Sequence, residues 1–377
     1  MRLILLTPFL DSRGGFEHKV YRIAKHFDAT IHCLRYEPEN TYDDFRDLHI
    51  ETPKGSFLRD AERRLIKPFQ TARYFYNLKL EDYDLVNAHL EPSEFARRRN
   101  SPMIWECYAP YRSAFDLYQW RMKRSSLPGK VALVCANEAF KQIEYRIVPK
   151  IEYIFTCSLN SKDRIRRYLG RDSEVLYGGI NARTFTSREP EGFFFYPSRI
   201  APEKDFEYAI EAFRIFSSRV KGWKLVIGGS LSRLPASRQY LEKLRAMCDD
   251  SISIETDMSE ERKRDLYSRC HAVLYTPVDE DFGIVPLEGM ASSKPCIAKN
   301  EGGPRETVVE GVDGFLVNSP QEMAERMEHL AKNPEESIAM GKAGRRKVVE
   351  RFTWERFLRR FGEKADEVIN DSATQGR

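Results

Sequence analysis

The sequence predicts an α/β protein of two doubly wound, Rossmann-like domains facing across a cleft, and three observations carry that reading. Short apolar runs alternate with segments of helical periodicity along the whole chain. The runs fall into two sets, separated by a polar stretch at 182–192. A length of 377 residues suffices for two cores of ordinary size. The expected organisation is an N-terminal domain over 1–181, a linker over 182–192 and a C-terminal domain over 193–354. A last helix, over 355–377, is expected to pack back on the first domain.

Composition sets bounds on function. Apolar residues make up 41% and charged residues 31% of the chain, as in a globular protein. A net charge of +4 is small for this length and speaks against nucleic acid as a partner. The seven cysteines are scattered, odd in number and without a C-x-x-C pair, which suits buried thiols in a reducing compartment. The opening Met1-Arg-Leu-Ile-Leu-Leu-Thr-Pro8 has too short an apolar run for a signal peptide and reads as a first strand. No stretch reaches the roughly 18 apolar residues of a membrane span, so the expected location is the cytoplasm.

In the first half, Leu3–Thr7 reads as a buried strand and Arg13-Gly14-Gly15 as a turn. A helix follows from about Glu17, with Val20, Ile23, Ala24 and Phe27 on one face. Strand, glycine turn and helix present backbone N–H groups to a phosphate, although G-x-G-x-x-G is absent. Residues 56–80 read as a basic, aromatic, amphipathic helical region, and Arg97-Arg-Arg99 and Trp120-Arg-Met-Lys-Arg124 add positive charge. Such faces are usually only solvated. The sharper reading is an anionic membrane surface or acceptor met by the N-terminal domain, through Arg63, Arg64, Lys67, Arg121, Lys123 and Arg124.

Asp84–Ala88 is a strand ending at His89, which aims a side chain with a pKa near neutrality at the cleft. Tyr153–Cys157 is another strand, and Ser161 is placed to cap the helix after it. Asp82-Tyr-Asp84 and Asp279-Glu-Asp281 match a metal-diphosphate motif only by being short, and neither is read as a metal site.

In the second half, the aromatic run from Phe193 leads into a turn carrying Arg199 and Lys204, then a helix with Phe206, Ala209, Ile210 and Phe213 on one face. Two cations on one strand-to-helix turn suit a diphosphate, arginine by bidentate hydrogen bonds and lysine as a point charge. The run His271–Tyr275 reads as a buried strand and Leu287–Ala291 as a helix. Between them lies a polar turn, which puts Glu280 in a loop above a strand end and Glu288 inside the helix. Ligands of open α/β sheets bind at that edge.

Phe282-Gly283 and the spacing of Glu280 and Glu288 resemble the E-x7-E signature of family 4 retaining glycosyltransferases of the GT-B fold. The turn from Arg199 to Lys204 resembles the same family's G-R-x-x-x-x-K turn, with Ser198 where glycine is usual. The segment from Val86 to Pro110 resembles its histidine loop and the strand that follows. The resemblance implies transfer of a sugar from a UDP- or GDP-linked donor to a glycan, a lipid-linked or a small-molecule acceptor. It also implies roles. Arg199 and Lys204 stabilise the leaving diphosphate beside Gly15. Glu288 takes the ribose hydroxyls and Glu280 the donor sugar. Backbone N–H groups of Phe282, Gly283, Ile284 and Val285 hold sugar and phosphate, and His89 lines the reaction centre. Beyond the nucleotide-sugar substrate, no cofactor and no metal is expected. Two rival readings are a sugar-nucleotide epimerase or phosphorylase on the same fold, and a basic-surface binding protein with a vestigial cleft.

Overall fold

A computed structural model describes residues 1–12, 14–53, 66–124, 126–231 and 235–375. The chain forms two compact units, Met1–Gly178 with Glu355–Arg377, and Gly179–Trp354.

The first unit is built in the order β1 (Leu3–Leu10), α1 (Gly15–Phe27), β2 (Thr30–Tyr36), β3 (Ile50–Glu51), α2 (Ile66–Asn77), β4 (Leu85–His89) and β5 (Met103–Cys107). Then come α3 (Tyr118–Arg124), α4 (Leu127–Ile147), β6 (Tyr153–Thr156), α5 (Leu159–Leu169) and β7 (Glu174–Val175). The strands pair in parallel in the order β3-β2-β1-β4-β5-β6-β7. Every residue of β4 and β5 is buried, as expected for parallel strands covered on both faces. Trp105 and Phe95 fill the core on one side of this sheet with Phe75 and Ile165.

The second unit runs β8 (Phe193–Pro197), α6 (Phe206–Arg219), β9 (Lys224–Gly229), α7 (Pro235–Arg245), β10 (Ile252–Thr256), α8 (Glu260–Arg269) and β11 (Ala272–Tyr275). It continues with α9 (Ile284–Ala291), β12 (Cys296–Lys299), α10 (Pro304–Thr307), β13 (Gly314–Val317), α11 (Pro320–Lys332) and α12 (Pro334–Arg351). Its parallel sheet has the order β10-β9-β8-β11-β12-β13. The last helix, α13 (Trp354–Gln375), returns to the first unit. Arg360 grips Glu174 of β7 through two hydrogen bonds of 2.6 and 2.7 Å, and Phe361 meets Phe27 and Phe155.

Both sheets are doubly wound, and in each the chain changes direction of winding at one pair of neighbouring strands. That pair is β1 and β4 in the first unit, β8 and β11 in the second. Loops leaving the carboxyl ends of such a pair diverge and open a crevice, the usual ligand position in open α/β sheets.

Several local details differ from the expectations. The polar run 182–192 is hydrogen-bonded along the second unit: Arg188 N donates to Ser268 O at 2.9 Å, and Arg345 Nη1 to Phe185 O at 3.1 Å. The cap of α5 is Ser158, whose hydroxyl accepts the Ser161 N–H at 2.9 Å, so Ser161 lies inside the first turn. Helix α9 begins three residues before Leu287, because Gly283 takes φ +82° and turns the chain into it. All seven cysteines are free thiols, five of them buried. Among the described residues no helix is long and apolar enough to cross a membrane.

Candidate active site

The two loops at the β8/β11 pair carry the second unit's candidate residues. After β8, the turn continues alongside β9, with Ser198 N donating to Gly228 O at 2.8 Å and Ile200 N to Ser230 O at 2.9 Å. Tyr196, fully buried under this turn, donates its hydroxyl to the Lys204 carbonyl and accepts the Thr276 N–H at 3.1 Å. One phenol thus joins the loop after β8 to the loop after β11. Burial pushes that phenol's pKa upward, so it stays a donor at any physiological pH.

The cations reach different partners. Lys204 Nζ lies 2.6 Å from Glu280 Oε2, with the two side chains 15% and 19% exposed. Arg199, whose side chain is 59% exposed, pairs with Glu203 at 2.8 Å. Lysine and glutamate here are 76 residues apart in sequence and meet only through the neighbouring strands. The Glu280 loop is pinned from behind: Gly303 N donates to the Glu280 carbonyl at 2.8 Å, and Glu301 accepts the Asp279 N–H at 3.0 Å. Lys299, at the end of β12, lies 3.2 Å from both Asp205 and Glu301 and so ties the Lys204 turn to the Glu280 loop.

Gly283 precedes α9 with Tyr275 close beneath it. A Cβ there would sit 2.8 Å from the Tyr275 ring, in a backbone region that L-residues rarely adopt. The helix N-terminus that follows offers N–H groups and positive potential to an anion. One turn further, Glu288 accepts the Tyr267 hydroxyl at 2.6 Å and faces Lys263 at 3.4 Å. Burial lowers the Lys263 pKa, but Glu288 and Glu260 outweigh it, so the ammonium is held above its ordinary value. Glu288 keeps further lone pairs for a ligand's hydroxyl groups.

In the first unit, His89 closes β4 and has no exposed surface. Its Nε2 is 2.7 Å from Asn87 Oδ1, and Nδ1 is 3.3 Å from the Tyr108 hydroxyl. Asn87 donates its amide N–H to Ile104 O at 3.1 Å, leaving Oδ1 as the acceptor. That assigns the proton to Nε2 and makes Nδ1 the acceptor for Tyr108. Burial, with Lys19 as a nearby positive charge, holds the imidazole well below its ordinary pKa. The near-neutral titration expected from the strand-end position is therefore corrected: His89 is a neutral ring throughout the physiological range. Lys19 is itself buried against Glu106 at 3.0 Å, over the Tyr108 ring. Gly15 starts α1, the helix that follows β1 of the β1/β4 pair.

The comparisons with known proteins fit this arrangement. Residues 181–347 match the family model of glycosyl transferases group 1. The chain is 32% identical to alpha-1,3/1,6-mannosyltransferase ALG2 of Dictyostelium discoideum, over 95% of this chain and 96% of that protein. It is also 32% identical to human ALG2, over 94% and 93% of the two chains. The chain belongs to the group 1 glycosyl transferases. Its fold is GT-B: the crystal structure of HepE from Anabaena, in complex with UDP and glucose, superposes with a TM-score of 0.74 at 17% identity, over 97% of this chain and 100% of that one. Sucrose-phosphate synthase from Thermosynechococcus elongatus gives 0.73 at 16% identity, over 98% and 100%.

In this glycosyltransferase the structure brings Lys204 and Glu280 into contact and sets Gly283, Ile284, Val285 and Glu288 along one loop and helix. Phe282 packs near Phe352. Tyr196, Lys263, Tyr267, Lys299 and Glu301 also belong to this site and lie outside the motifs of the sequence. Lys299 had a usable signal, a charge directly after the apolar run Pro295–Ala298, which is the same strand-end position that singled out His89. Asp84 of the first Asp-x-Asp accepts the Arg2 N–H at 2.6 Å and is committed to holding β1. Among the described residues no three His, Cys, Asp or Glu side chains converge as a metal site. Of the basic residues, Arg97 is engaged by Glu152 through two hydrogen bonds of 2.9 and 2.6 Å. Arg13, Arg63 and Arg64 lie outside the described residues.

Proposed function

We propose that this glycosyltransferase moves a hexose from a nucleotide-diphosphate sugar, UDP- or GDP-linked, to a glycan, lipid-linked or small-molecule acceptor, with retention of anomeric configuration. Mannose is the first sugar to test, since the relatives matched over nearly the whole chain are named mannosyltransferases. The observation that carries the reading is the Lys204–Glu280 contact at the β8/β11 pair, beside the N-terminus of α9.

The chemistry follows from charge. Breaking a glycosyl–phosphate bond leaves a diphosphate that gains negative charge while the sugar becomes oxocarbenium-like. Lys204 and Arg199 supply the opposing charge on the phosphate side, and α9 adds its N–H groups. Glu280, held by Lys204, accepts a hydroxyl of the transferring sugar. Glu288, oriented by Tyr267 and Lys263, accepts the ribose hydroxyls. In a front-side displacement the departing phosphate oxygen takes the acceptor's proton, so no side chain has to titrate. A neutral His89 is compatible with that scheme. Two cations at the diphosphate also make a divalent metal unnecessary.

The test is sugar transfer from a panel of UDP- and GDP-linked hexoses, before and after exhaustive chelation. Transfer that survives EDTA supports the reading. Activity lost in EDTA and restored by manganese or magnesium would show that charge is neutralised some other way.

A further inference from the structure

We propose that a cavity beside α12 in the second unit binds a phosphate monoester of a small sugar or polyol, apart from the loops at the β8/β11 pair. The cavity measures about 380 Å³ and is lined by Ser293, Lys342, Arg345, Arg346, Val349 and Glu350. Five of these stand on α12 at i, i+3, i+4, i+7 and i+8, so they share one face of the helix. Ser293 meets that face from the loop between α9 and β12. Two glycines bring helix and loop together. A Cβ on Gly341 would lie 2.0 Å from Ser293 O, and one on Gly344 would lie 2.6 Å from Met290 Cγ. Arg345 fixes the wall: Nη1 donates to the carbonyls of Ala291 and, at 3.1 Å, Phe185, and Nη2 to Ala182 O at 3.4 Å. Lys347 is committed to Asp313 and, at 2.6 Å, to the Thr307 carbonyl. Lys342 and Arg346 are different. Both are exposed, and neither has an ion-pair or hydrogen-bond partner among the described residues. Like charges four apart on a helix destabilise it, and the sequence holds no acidic residue between Glu336 and Glu350 to offset them. A phosphate dianion answers both cations at once, the arginine by its fork and the lysine by its point charge. The space exceeds what one oxyanion fills and lies in the range of small-ligand sites. Ser293 and Glu350 offer hydrogen bonds to a ligand's hydroxyl groups, and Val349, 52% exposed, meets its carbon skeleton. The Glu350 carboxylate would repel a second anionic group, which favours a monoester over a diphosphate.

The experiment is isothermal titration of the full chain with mannose 6-phosphate and with inorganic phosphate, each in the absence and presence of excess UDP or GDP. Mannose 6-phosphate should bind more tightly than inorganic phosphate, and equally well with the nucleotide present. Unphosphorylated mannose should not displace it. Lys342→Ala with Arg346→Ala should weaken the mannose 6-phosphate affinity about tenfold or more, since each substitution removes a hydrogen bond to a charged group. Both positions are exposed, so the melting temperature of the unliganded variant should match the wild type. Lys342→Arg should retain most of the affinity. Displacement of the ester by UDP or GDP would overturn the proposal, because the ligand would then occupy the nucleotide's own site. Equal affinity for the ester and inorganic phosphate, binding unaltered in the folded double variant, or no binding at millimolar ester would overturn it too.

Discussion

Lys204→Ala and Arg199→Ala should separate two contributions that the geometry assigns differently. Both remove a cation from the turn proposed to meet the diphosphate. Losing one preorganised charge-stabilising group costs about 2.7–4 kcal/mol of transition-state stabilisation, or about a hundred- to a thousandfold in kcat. Stability should respond to one change only. Lys204 and Glu280 are 15% and 19% exposed at 2.6 Å, so deleting the lysine removes the cation that faces a mostly buried carboxylate. A lost hydrogen bond to a charged group of this kind costs about 1.5–3 kcal/mol. The Arg199–Glu203 pair has an arginine 59% exposed, and such surface pairs contribute about 0.2–1 kcal/mol. Urea unfolding and transfer kinetics on the two variants therefore give a pattern, with kcat down in both and stability down mainly in Lys204→Ala. Wild-type turnover in Lys204→Ala, or equal loss of stability in both variants, would refute the reasoning.

Further expectations follow from neighbouring groups. Glu288→Gln keeps the acceptor for Tyr267 but removes the charge, and should weaken nucleotide binding roughly ten- to a hundredfold, from about 1.5–3 kcal/mol; isothermal titration with the nucleoside diphosphate reads it. Lys299→Met should release the tie between Asp205 and Glu301 and lower kcat/KM roughly ten- to a hundredfold through misplacement of Glu280, with Lys299→Arg recovering most of it. Glu144 is buried in the first unit, and burial, then the charge of Glu91, raises its pKa from the ordinary 4.5 to about 8. The unfolded chain releases that proton first, so stability falls as pH rises from 4.5 towards 8. Glu144→Gln should thus be more stable than wild type at pH 8 and lose that advantage by pH 4.5; unchanged relative stability across the range in urea melts would contradict it.

Much of this molecule was legible because parallel strands must be buried on both faces, so β8 and β11 stand out as unbroken apolar runs, and β4 and β5 as runs broken only by Asn87, His89 and Glu106. The glycine at 283 and the charges at 199, 204, 280 and 288 were readable for a related reason, since they follow β8 and β11. What the sequence does not carry is who pairs with whom. Lys204 with Glu280, and Tyr267 with Glu288, form across strand order and helix packing, not along the chain. Burial is equally hidden, which is why His89 was expected to titrate near neutrality and instead is enclosed beside Asn87, Tyr108 and Lys19. The misplaced cap has a smaller cause. Ser158 and Ser161 are one helical turn apart and both can cap, and Leu159 joins the helix because Ser158 does so.

The proposed activity is donor-dependent sugar transfer with retention, and one measurement reaches it directly. The chain is incubated with an α-linked nucleotide hexose and a panel of glycan and lipid-linked acceptors. Nucleoside diphosphate release is followed, and the new linkage is read by proton NMR. Release should depend on acceptor, and the product should carry the donor's α configuration. A β-linked product, an epimerised nucleotide sugar, or no turnover of any donor by folded protein would contradict it.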